Sequence, residues 1–427
     1  MKPLKAKIES MAFKGYGVAR INGKVLFIPY TVIGDEVWVE RVENKRDYAI
    51  GKLNKILTPS PWRVDPPCPY FGSCGGCQWQ HIDYSVHGEL KKAILGEILK
   101  RLGKLKEISF INLAPSLQPY DYRIRVQLKV KGKAIGYYQE RSHKIVDIDH
   151  CPISHPLVNQ IIRNLREELA TLLCMNEIEI NVSPDEGRGV LLFHPHSYDQ
   201  RIEYVVKKFL QSQPLLQGIA ITKEDGLRLF GNPTLNFLIP LCQEGEKRNL
   251  KFRISPGSFS QINLGQNQTL IRTVLQFAEV NKEEKVLDLY AGIGNLTLPL
   301  ALKAKEVLGI EENKMAIVDG RFNAETNRII NCDFIHGRVE EVLMGWERER
   351  FDLVVLDPPR TGCKTVLDQV VRLKPKKIVY VSCEPTTFSR DLRLFSERGY
   401  SLQNLSLIDM FPQTFHMEVV GLLLPEP

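Results

Sequence analysis

The spacing of hydrophobic and polar residues divides the chain into three parts. Over residues 1–60 the apolar residues form short alternating runs, which predict β-strands. Four glycines interrupt these runs and mark turns: Gly15, Gly17, Gly23 and Gly34. Short strands at this spacing predict a small five-stranded barrel of the OB-like type, a fold that often binds nucleic acid.

The second part, residues 61–265, mixes the periods of strands and helices. A linker near its start is predicted by four prolines: Pro59, Pro61, Pro66 and Pro67. A cysteine-rich turn begins at Cys68, and the following segment ELKKAILGEILKRLG has the apolar spacing of a helix. Strand patterns such as YRIRVQLKV then alternate with a helical pattern that starts at Pro156. This part is therefore predicted to be an α+β domain.

The third part, residues 266–427, alternates strand and helix patterns to its end. Such alternation is typical of a doubly wound parallel sheet of the Rossmann type. In sheets of this kind, ligands bind beyond the carboxyl ends of the strands. Residues that follow directly after a predicted strand are therefore the first candidates for a functional site.

Length and composition are those of an ordinary globular protein. The chain has 427 residues and 43% hydrophobic residues, enough for two or three domains with substantial cores and too many for a disordered or fibrous chain. No apolar run is long enough to span a membrane, and the segment MKPLKAKIES lacks the apolar region of a signal peptide. A cytoplasmic location is the expectation.

The positive charge is concentrated at one end of the chain. The formal net charge is +7, and residues 1–63 hold 12 Lys and Arg against 6 Asp and Glu, a difference of +6. A basic module of this kind is typical of a protein with a polyanionic partner such as a nucleic acid. The alternative is a solvated surface on which lysines serve solubility.

A glycine-rich turn in the third part predicts a nucleoside site. The segment KVLDLYAGIGNLTLPLA reads as strand, turn and helix, with Gly292 and Gly294 in the turn, and the next predicted strand ends in Glu311. An acidic residue at that place can bind the hydroxyl pair of a ribose. The turn resembles the D-x-x-x-G-x-G turn of S-adenosylmethionine-dependent methyltransferases. Arg360 follows Asp357-Pro-Pro where amino-group methyltransferases carry an aromatic residue, which argues against that class.

Cys383 ends the predicted strand KKIVYVSC, and Glu418 opens the last strand beside His416. A small buried thiol is the commonest role of a free cysteine, but the end of a parallel strand favours a chemical role. A thiolate that attacks C6 of a pyrimidine makes C5 nucleophilic enough to accept a methyl group, and a base must then remove the C5 proton. Glu418 is the candidate base, whereas His416 is more simply interpreted as structural.

Four segments together resemble the bacterial RNA uracil-C5 methyltransferase family: LDLYAGIGNLTLPLA, LDPPR, VSCEPTTFSRD and DMFPQTFHMEV. The resemblance covers essentially the whole chain. It implies that Cys383 is the nucleophile and Glu418 the base. It also implies the residues that contact S-adenosylmethionine: Gln261, Tyr290, Asn295, Glu311 and Asp357. The implied substrate is 23S ribosomal RNA rather than the T loop of transfer RNA, and a non-catalytic RNA-binding iron-sulfur protein is the alternative from another class.

Nine cysteines without a secretion signal argue against disulfides, and three of them within ten residues indicate a metal. Four cysteines serve zinc as well as iron. The family resemblance favours a [4Fe-4S] cluster bound by four thiolates, here Cys68, Cys74, Cys77 and Cys151. It further implies that the N-terminal barrel is an RNA-binding TRAM domain and that the C-terminal domain is a class I methyltransferase fold. The protein is expected to act as a monomer, without an obligate protein partner.

Overall fold

The computed structural model describes residues 4–105, 110–168, 175–243, 246–346 and 349–426. The first strands form one sheet: β1 (Leu4–Lys7), β2 (Ser10–Ala12), β3 (Tyr16–Ile21), β4 (Lys24–Ile28), β5 (Glu36–Asn44) and β6 (Tyr48–Thr58). Their order is β1-β5-β6-β4-β3-β2. The edge strands β1 and β2 are joined by two residues only, so the sheet must curl to bring its edges together. The sequence predicted five strands in this region, and the sixth arises because the first run is interrupted at Ile8 and Glu9.

The middle of the chain forms a second sheet, together with the helices that connect its strands. Its elements, after α1 (Tyr84–Leu102) and β7 (Phe110–Ala114), are β8 (Arg125–Lys131), β9 (Ala134–Tyr138), β10 (Ile145–Asp147), α2 (Pro156–Glu167), β11 (Met175–Ser183), β12 (Arg188–Pro195), α3 (Gln200–Ser212), β13 (Leu216–Lys223) and β14 (Gly226–Gly231). The strand order is β10-β9-β8-β11-β12-β13-β14. A hairpin of β15 (Leu235–Gln243) and β16 (Glu246–Ile254) follows. The α+β character predicted for this part is what the structure has.

The last part contains the predicted alternation of strands and helices. It comprises α4 (Leu264–Ala278), β17 (Lys285–Leu289), α5 (Thr297–Ala301), β18 (Glu306–Glu311), α6 (Lys314–Thr326), β19 (Cys332–His336), α7 (Val339–Val342), β20 (Leu353–Leu356), α8 (Leu367–Arg372), β21 (Lys377–Ser382), α9 (Pro385–Ser396), β22 (Tyr400–Ile408) and β23 (Glu418–Pro425). The strand order is β19-β18-β17-β20-β21-β23-β22-β7. Strands β17 to β21 pair in parallel, so their carboxyl ends meet at one edge of the sheet.

Two features of this sheet were not predicted from the sequence. Strand β23 inserts between β21 and β22 and runs antiparallel to both, so the sheet is mixed rather than wholly parallel. Strand β7, which comes from the middle of the chain, pairs in parallel with β22 at the edge. The central and C-terminal parts therefore share a sheet.

Large hydrophobic clusters cover both faces of this sheet, which explains why its strands are almost continuously apolar. Strand β21 has five buried residues in succession after Lys377. Among the described residues, no helix combines the length and the apolar character that crossing a membrane requires.

Candidate active site

Four of the five residues predicted to contact S-adenosylmethionine line one cleft: Gln261, Tyr290, Asn295 and Asp357. The cleft lies where β17 and β20 end, at the edge of the sheet that the doubly wound fold uses for ligands. Its opposite wall comes from the β15–β16 hairpin, through Phe237, Phe252 and Ile254. The sequence carried no signal for these apolar residues, because a separate hairpin brings them to the cleft.

The glycine turn after β17 has the backbone conformation that its sequence requires. Tyr290, Gly292 and Gly294 have positive φ angles of 66°, 55° and 88°. A Cβ atom on Gly294 would lie 2.3 Å from the Cδ1 atom of the buried Leu298 side chain, which would have to shift, and the positive φ angle itself disfavours any other residue there. The glycines thus allow a tight turn whose backbone borders the cleft.

Glu311, the fifth predicted contact, closes the turn from the end of β18. Its carboxylate accepts hydrogen bonds from the backbone N–H groups of Gly292 at 2.9 Å and Asn313 at 2.7 Å. Asn295 forms a reciprocal pair of amide hydrogen bonds with Asn267 of α4, at 2.8 and 2.9 Å. Four of the predicted cofactor residues therefore line the cleft, and Glu311 is hydrogen-bonded to Gly292 in its wall.

The register of β21 and β23 brings Cys383 and Glu418 together. Ser382 pairs with Val419, so the next pair of positions along the two antiparallel strands is Cys383 and Glu418. Cys383 leaves the sheet one residue beyond β21, close enough to Glu418 that the carboxylate raises the pKa of the thiol. Glu418 is buried, with 2% of its surface exposed, whereas Cys383 is half-buried. The thiol and the carboxyl group predicted from separate motifs are thus neighbours.

Charges around this pair set its protonation. Burial, together with the nearby carboxylates of Glu418 and Asp357, raises the pKa of Cys383 to about 12, although the Arg360 guanidinium opposes this rise through its charge and a hydrogen bond. Burial and Asp357 also raise the pKa of Glu418 well above its usual range. Arg360 is therefore the cation that favours the thiolate and the ionised base, a role that its position after Asp357-Pro-Pro did not reveal.

His416 is a poor candidate for a base at neutral pH. Burial, together with the positive charges of Arg360, Lys91 and Arg123, lowers the pKa of His416 to about 3. The imidazole is therefore neutral and weakly basic. This agrees with the structural interpretation of His416 and leaves Glu418 as the candidate base.

The four predicted metal-binding cysteines line one cavity of about 710 Å³, together with Arg360 and residues near His416. Cys77 is buried, whereas Cys68, Cys74 and Cys151 are partly exposed. Within the described ranges, no group of three or more His, Cys, Asp or Glu side chains has the arrangement of a metal site. The structure therefore brings the four thiols to one cavity without showing a formed metal centre.

Comparison with known proteins finds relatives that match this chain over nearly the full length of both proteins. An uncharacterised RNA methyltransferase of Aquifex aeolicus is 36% identical, over 99% of this chain and 98% of its own length. A 23S rRNA (uracil(1939)-C(5))-methyltransferase RlmD of Pectobacterium atrosepticum is 34% identical, over 99% of this chain and 94% of its own length. The chain belongs to the RNA uracil-C5 methyltransferase family. The prediction of that family from the four sequence segments is confirmed.

Further comparisons agree with membership of the RNA uracil-C5 methyltransferase family. Residues 241–426 match the tRNA (Uracil-5-)-methyltransferase family, and residues 4–62 match the TRAM domain of tRNA (uracil(54)-C(5))-methyltransferase. The crystal structure of the Pyrococcus abyssi tRNA (uracil-54, C5)-methyltransferase in complex with S-adenosyl-L-homocysteine is similar, with a TM-score of 0.78 and 27% identity over 98% of this chain and 99% of that one. The predicted N-terminal TRAM domain and the methyltransferase fold are confirmed.

Proposed function

We propose that this protein transfers the methyl group of S-adenosylmethionine to C5 of a uridine in 23S ribosomal RNA. The observation that carries the proposal is the register that sets Cys383 opposite Glu418, beside the cleft lined by Asp357. A paired thiol and carboxyl group serve covalent methylation of a pyrimidine carbon and have no part in methylating an amino group. The similarity to a 23S rRNA methyltransferase over almost the full length of both chains supports ribosomal RNA as the substrate.

The reaction divides into two halves that share a covalent intermediate. In the first, the Cys383 thiolate forms a bond to C6 of the uracil, and C5 takes the methyl group from the sulfonium, which leaves as S-adenosylhomocysteine. In the second, Glu418 removes the C5 proton, the C5–C6 double bond forms again, and the C6–sulfur bond breaks. Arg360 assists the first half because it favours the thiolate.

Mapping of 5-methyluridine tests the proposed substrate. RNA from cells with and without the gene is compared, and one or two 23S positions should lose their methyl group in the deletion and regain it with the native gene. A gene carrying Cys383→Ala should not restore it. Loss from transfer RNA instead would favour the second candidate substrate, which the similarity to the Pyrococcus abyssi tRNA enzyme supports.

Purified protein tests the proposed chemistry directly. RNA that contains 5-fluorouracil should form a stable adduct with the native protein, because fluorine cannot leave as a cation after methyl transfer. Cys383→Ala should form none while still binding S-adenosylmethionine. Absence of S-adenosylmethionine binding in calorimetry of the native protein would point to the non-catalytic alternative.

We infer that Cys68, Cys74, Cys77 and Cys151 hold a [4Fe-4S] cluster. The donor set supports this inference, because all four thiols line one cavity and thiolates are the ligands that iron–sulfur clusters take. Four thiolates complete the coordination of such a cluster and leave no open iron site. The cluster would tie the turn that begins at Cys68 to Cys151.

Anaerobic purification tests the cluster. The protein should be brown, with about four iron and four sulfide per chain. Cys77→Ser should lose the colour, whereas the matched control Cys363→Ser should keep it, because Cys363 is buried beside Asp391 and outside the cavity. Zinc in place of iron in the anaerobic protein would contradict the inference.

A further inference from the structure

The loop that joins β22 to β23 determines where Glu418 lies. The last pair of opposite residues in the two strands is Ile408 and Glu418, and residues 409–417 form the loop between them. We call this segment the hairpin loop. Glu418 follows it directly, so the position of its carboxyl group depends on how the two ends of the hairpin loop are held.

A buried ammonium group holds both ends. Lys91 of α1 has no exposed side-chain surface, and Asp409 is only 1% exposed. The Nζ atom of Lys91 donates to Asp409 Oδ1 at 2.6 Å, to the His416 carbonyl at 2.6 Å and to the Phe411 carbonyl at 3.3 Å. An ammonium group has three donors. All three are directed to the hairpin loop, at its first residue, its third and its last but one.

Other contacts also support the loop. Within it, the Thr414 hydroxyl donates to the Phe411 carbonyl at 2.8 Å and accepts from the backbone N–H of His416 at 3.2 Å. Tyr84 donates a hydrogen bond from its hydroxyl to Asp409 Oδ2 at 2.9 Å. The carbonyl of Gln413, at the middle of the loop, accepts from the backbone N–H groups of Gln78 and Trp79. Among the described side chains outside the loop, Lys91 is the one that hydrogen-bonds both the segment after β22 and the segment before β23.

We propose that Lys91 is a positioning residue for the second half of the reaction, in which Glu418 removes the C5 proton. The proposal rests on the function proposed above for Glu418. A base must lie within about 3 Å of the proton that it removes, and a small displacement slows the transfer strongly. The acceptors of Lys91 all belong to the hairpin loop, so attack by Cys383 and methyl transfer do not need its ammonium group.

The test separates the two halves of the reaction. Lys91→Met/Asp409→Asn removes both charges together and nearly keeps the side-chain volumes. With native RNA and labelled S-adenosylmethionine, this variant should release methylated RNA at least about tenfold more slowly than the native protein and accumulate a labelled protein–RNA adduct. Its rate of adduct formation with 5-fluorouracil RNA should equal that of the native protein, because that adduct needs no proton removal.

A comparable ion pair in the barrel serves as control. Asp35 is fully buried and pairs with Arg63, which is 15% exposed. Arg63→Met/Asp35→Asn should lower Tm as the Lys91 variant does, but at saturating RNA it should release product at the native rate. A purely structural role for Lys91 would make the two double variants behave alike.

Two results would overturn the proposal. One is release of methylated RNA at the native rate by the folded Lys91→Met/Asp409→Asn protein, and the other is equal slowing of its 5-fluorouracil adduct. If that variant is not recovered folded, Lys91→Gln/Asp409→Asn, which removes the same two charges but keeps polar side chains, decides by the same two rates. Normal turnover by Glu418→Gln alone would instead refute the base assignment, whereas a trapped adduct with Glu418→Gln but not with the Lys91 variant refutes only this inference.

Discussion

Replacement of Glu418 should separate methyl transfer from the later elimination, two steps that most other substitutions would block together. Glu418→Gln keeps the size and hydrogen bonding of the side chain but removes its basicity. We expect one methyl transfer per protein, after which the RNA stays joined to Cys383, because elimination needs loss of the C5 proton. A denaturing gel with labelled S-adenosylmethionine should show a slow labelled band.

Cys383→Ala is the control for that band and should not form it. Normal turnover by Glu418→Gln would contradict the base assignment. Complete inactivity without an adduct would mean that Glu418 acts earlier, in seating the flipped uracil.

The pH dependence of the first half should follow the Cys383 thiol. Its pKa is about 12, so below that pH the thiolate fraction rises about tenfold for each pH unit. The rate of adduct formation with 5-fluorouracil RNA should therefore increase from about pH 6.5 to 9. Arg360→Met removes the cation that lowers this pKa, and we expect slower adduct formation at every pH.

Arg360→Lys keeps the positive charge and is the matched control, with a rate between those of the native protein and Arg360→Met. The measurement is the rate of adduct formation on denaturing gels at several pH values. Equal rates for the native and Arg360→Met proteins would show that the guanidinium does not assist the thiol.

Helix α6 fixes the segment that carries Gln261 into the cofactor cleft. Asp319, fully buried on α6, accepts hydrogen bonds from the backbone and hydroxyl of Ser255 and from the hydroxyl of Ser258, and it pairs with Arg253. Asp319→Asn loses charge-assisted acceptors of these bonds. We expect about tenfold weaker binding of S-adenosylmethionine in calorimetry.

The control for Asp319→Asn is Glu325→Gln, at an exposed position on the same helix α6. It should bind S-adenosylmethionine as the native protein does. At saturating S-adenosylmethionine, Asp319→Asn should form the 5-fluorouracil adduct at the native rate. Unchanged affinity in Asp319→Asn would show that the segment keeps its place without this carboxylate.

At the scale of the whole molecule, the barrel offers a basic and aromatic surface for RNA. Trp38 of β5 is 37% exposed and lies directly opposite the exposed Lys55 of β6. Stacking on an aromatic ring and phosphate contacts by lysine both bind RNA without reading its sequence. Trp38→Ala/Lys55→Glu should weaken RNA binding about tenfold and make it less dependent on salt.

Lys305→Glu is the charge control for the barrel surface. Lys305 is exposed just before β18, at the edge of the sheet opposite to the active site, and its replacement should leave the RNA affinity and its salt dependence unchanged. Titrations at several salt concentrations measure both quantities. Equal losses in the two variants would assign the effect to net charge rather than to the barrel.

Some features of this protein are determined by the local sequence, and others only by the tertiary structure. Local sequence was enough for the glycine turn, because Gly292 and Gly294 meet a backbone requirement that lies within a few residues. It was also enough for the place of Cys383, because a buried apolar run predicts a strand and the chain leaves the sheet where that run ends. The OB-like barrel followed from the alternation of its strands, although the break at Ile8 and Glu9 was not predicted, and its assignment as a TRAM domain came from the family resemblance.

Tertiary structure alone decided which of these residues meet. Cys383 and Glu418 become neighbours because β23 inserts antiparallel beside β21, and no local pattern states which strands will pair. Lys91 has the spacing of an ordinary helical residue, and only the packing of α1 against the hairpin loop gives its ammonium group Asp409 and two carbonyl acceptors. The sequence determines which chemical groups the protein carries. The distances between remote side chains depend on burial and strand pairing over hundreds of residues, which only the tertiary structure shows.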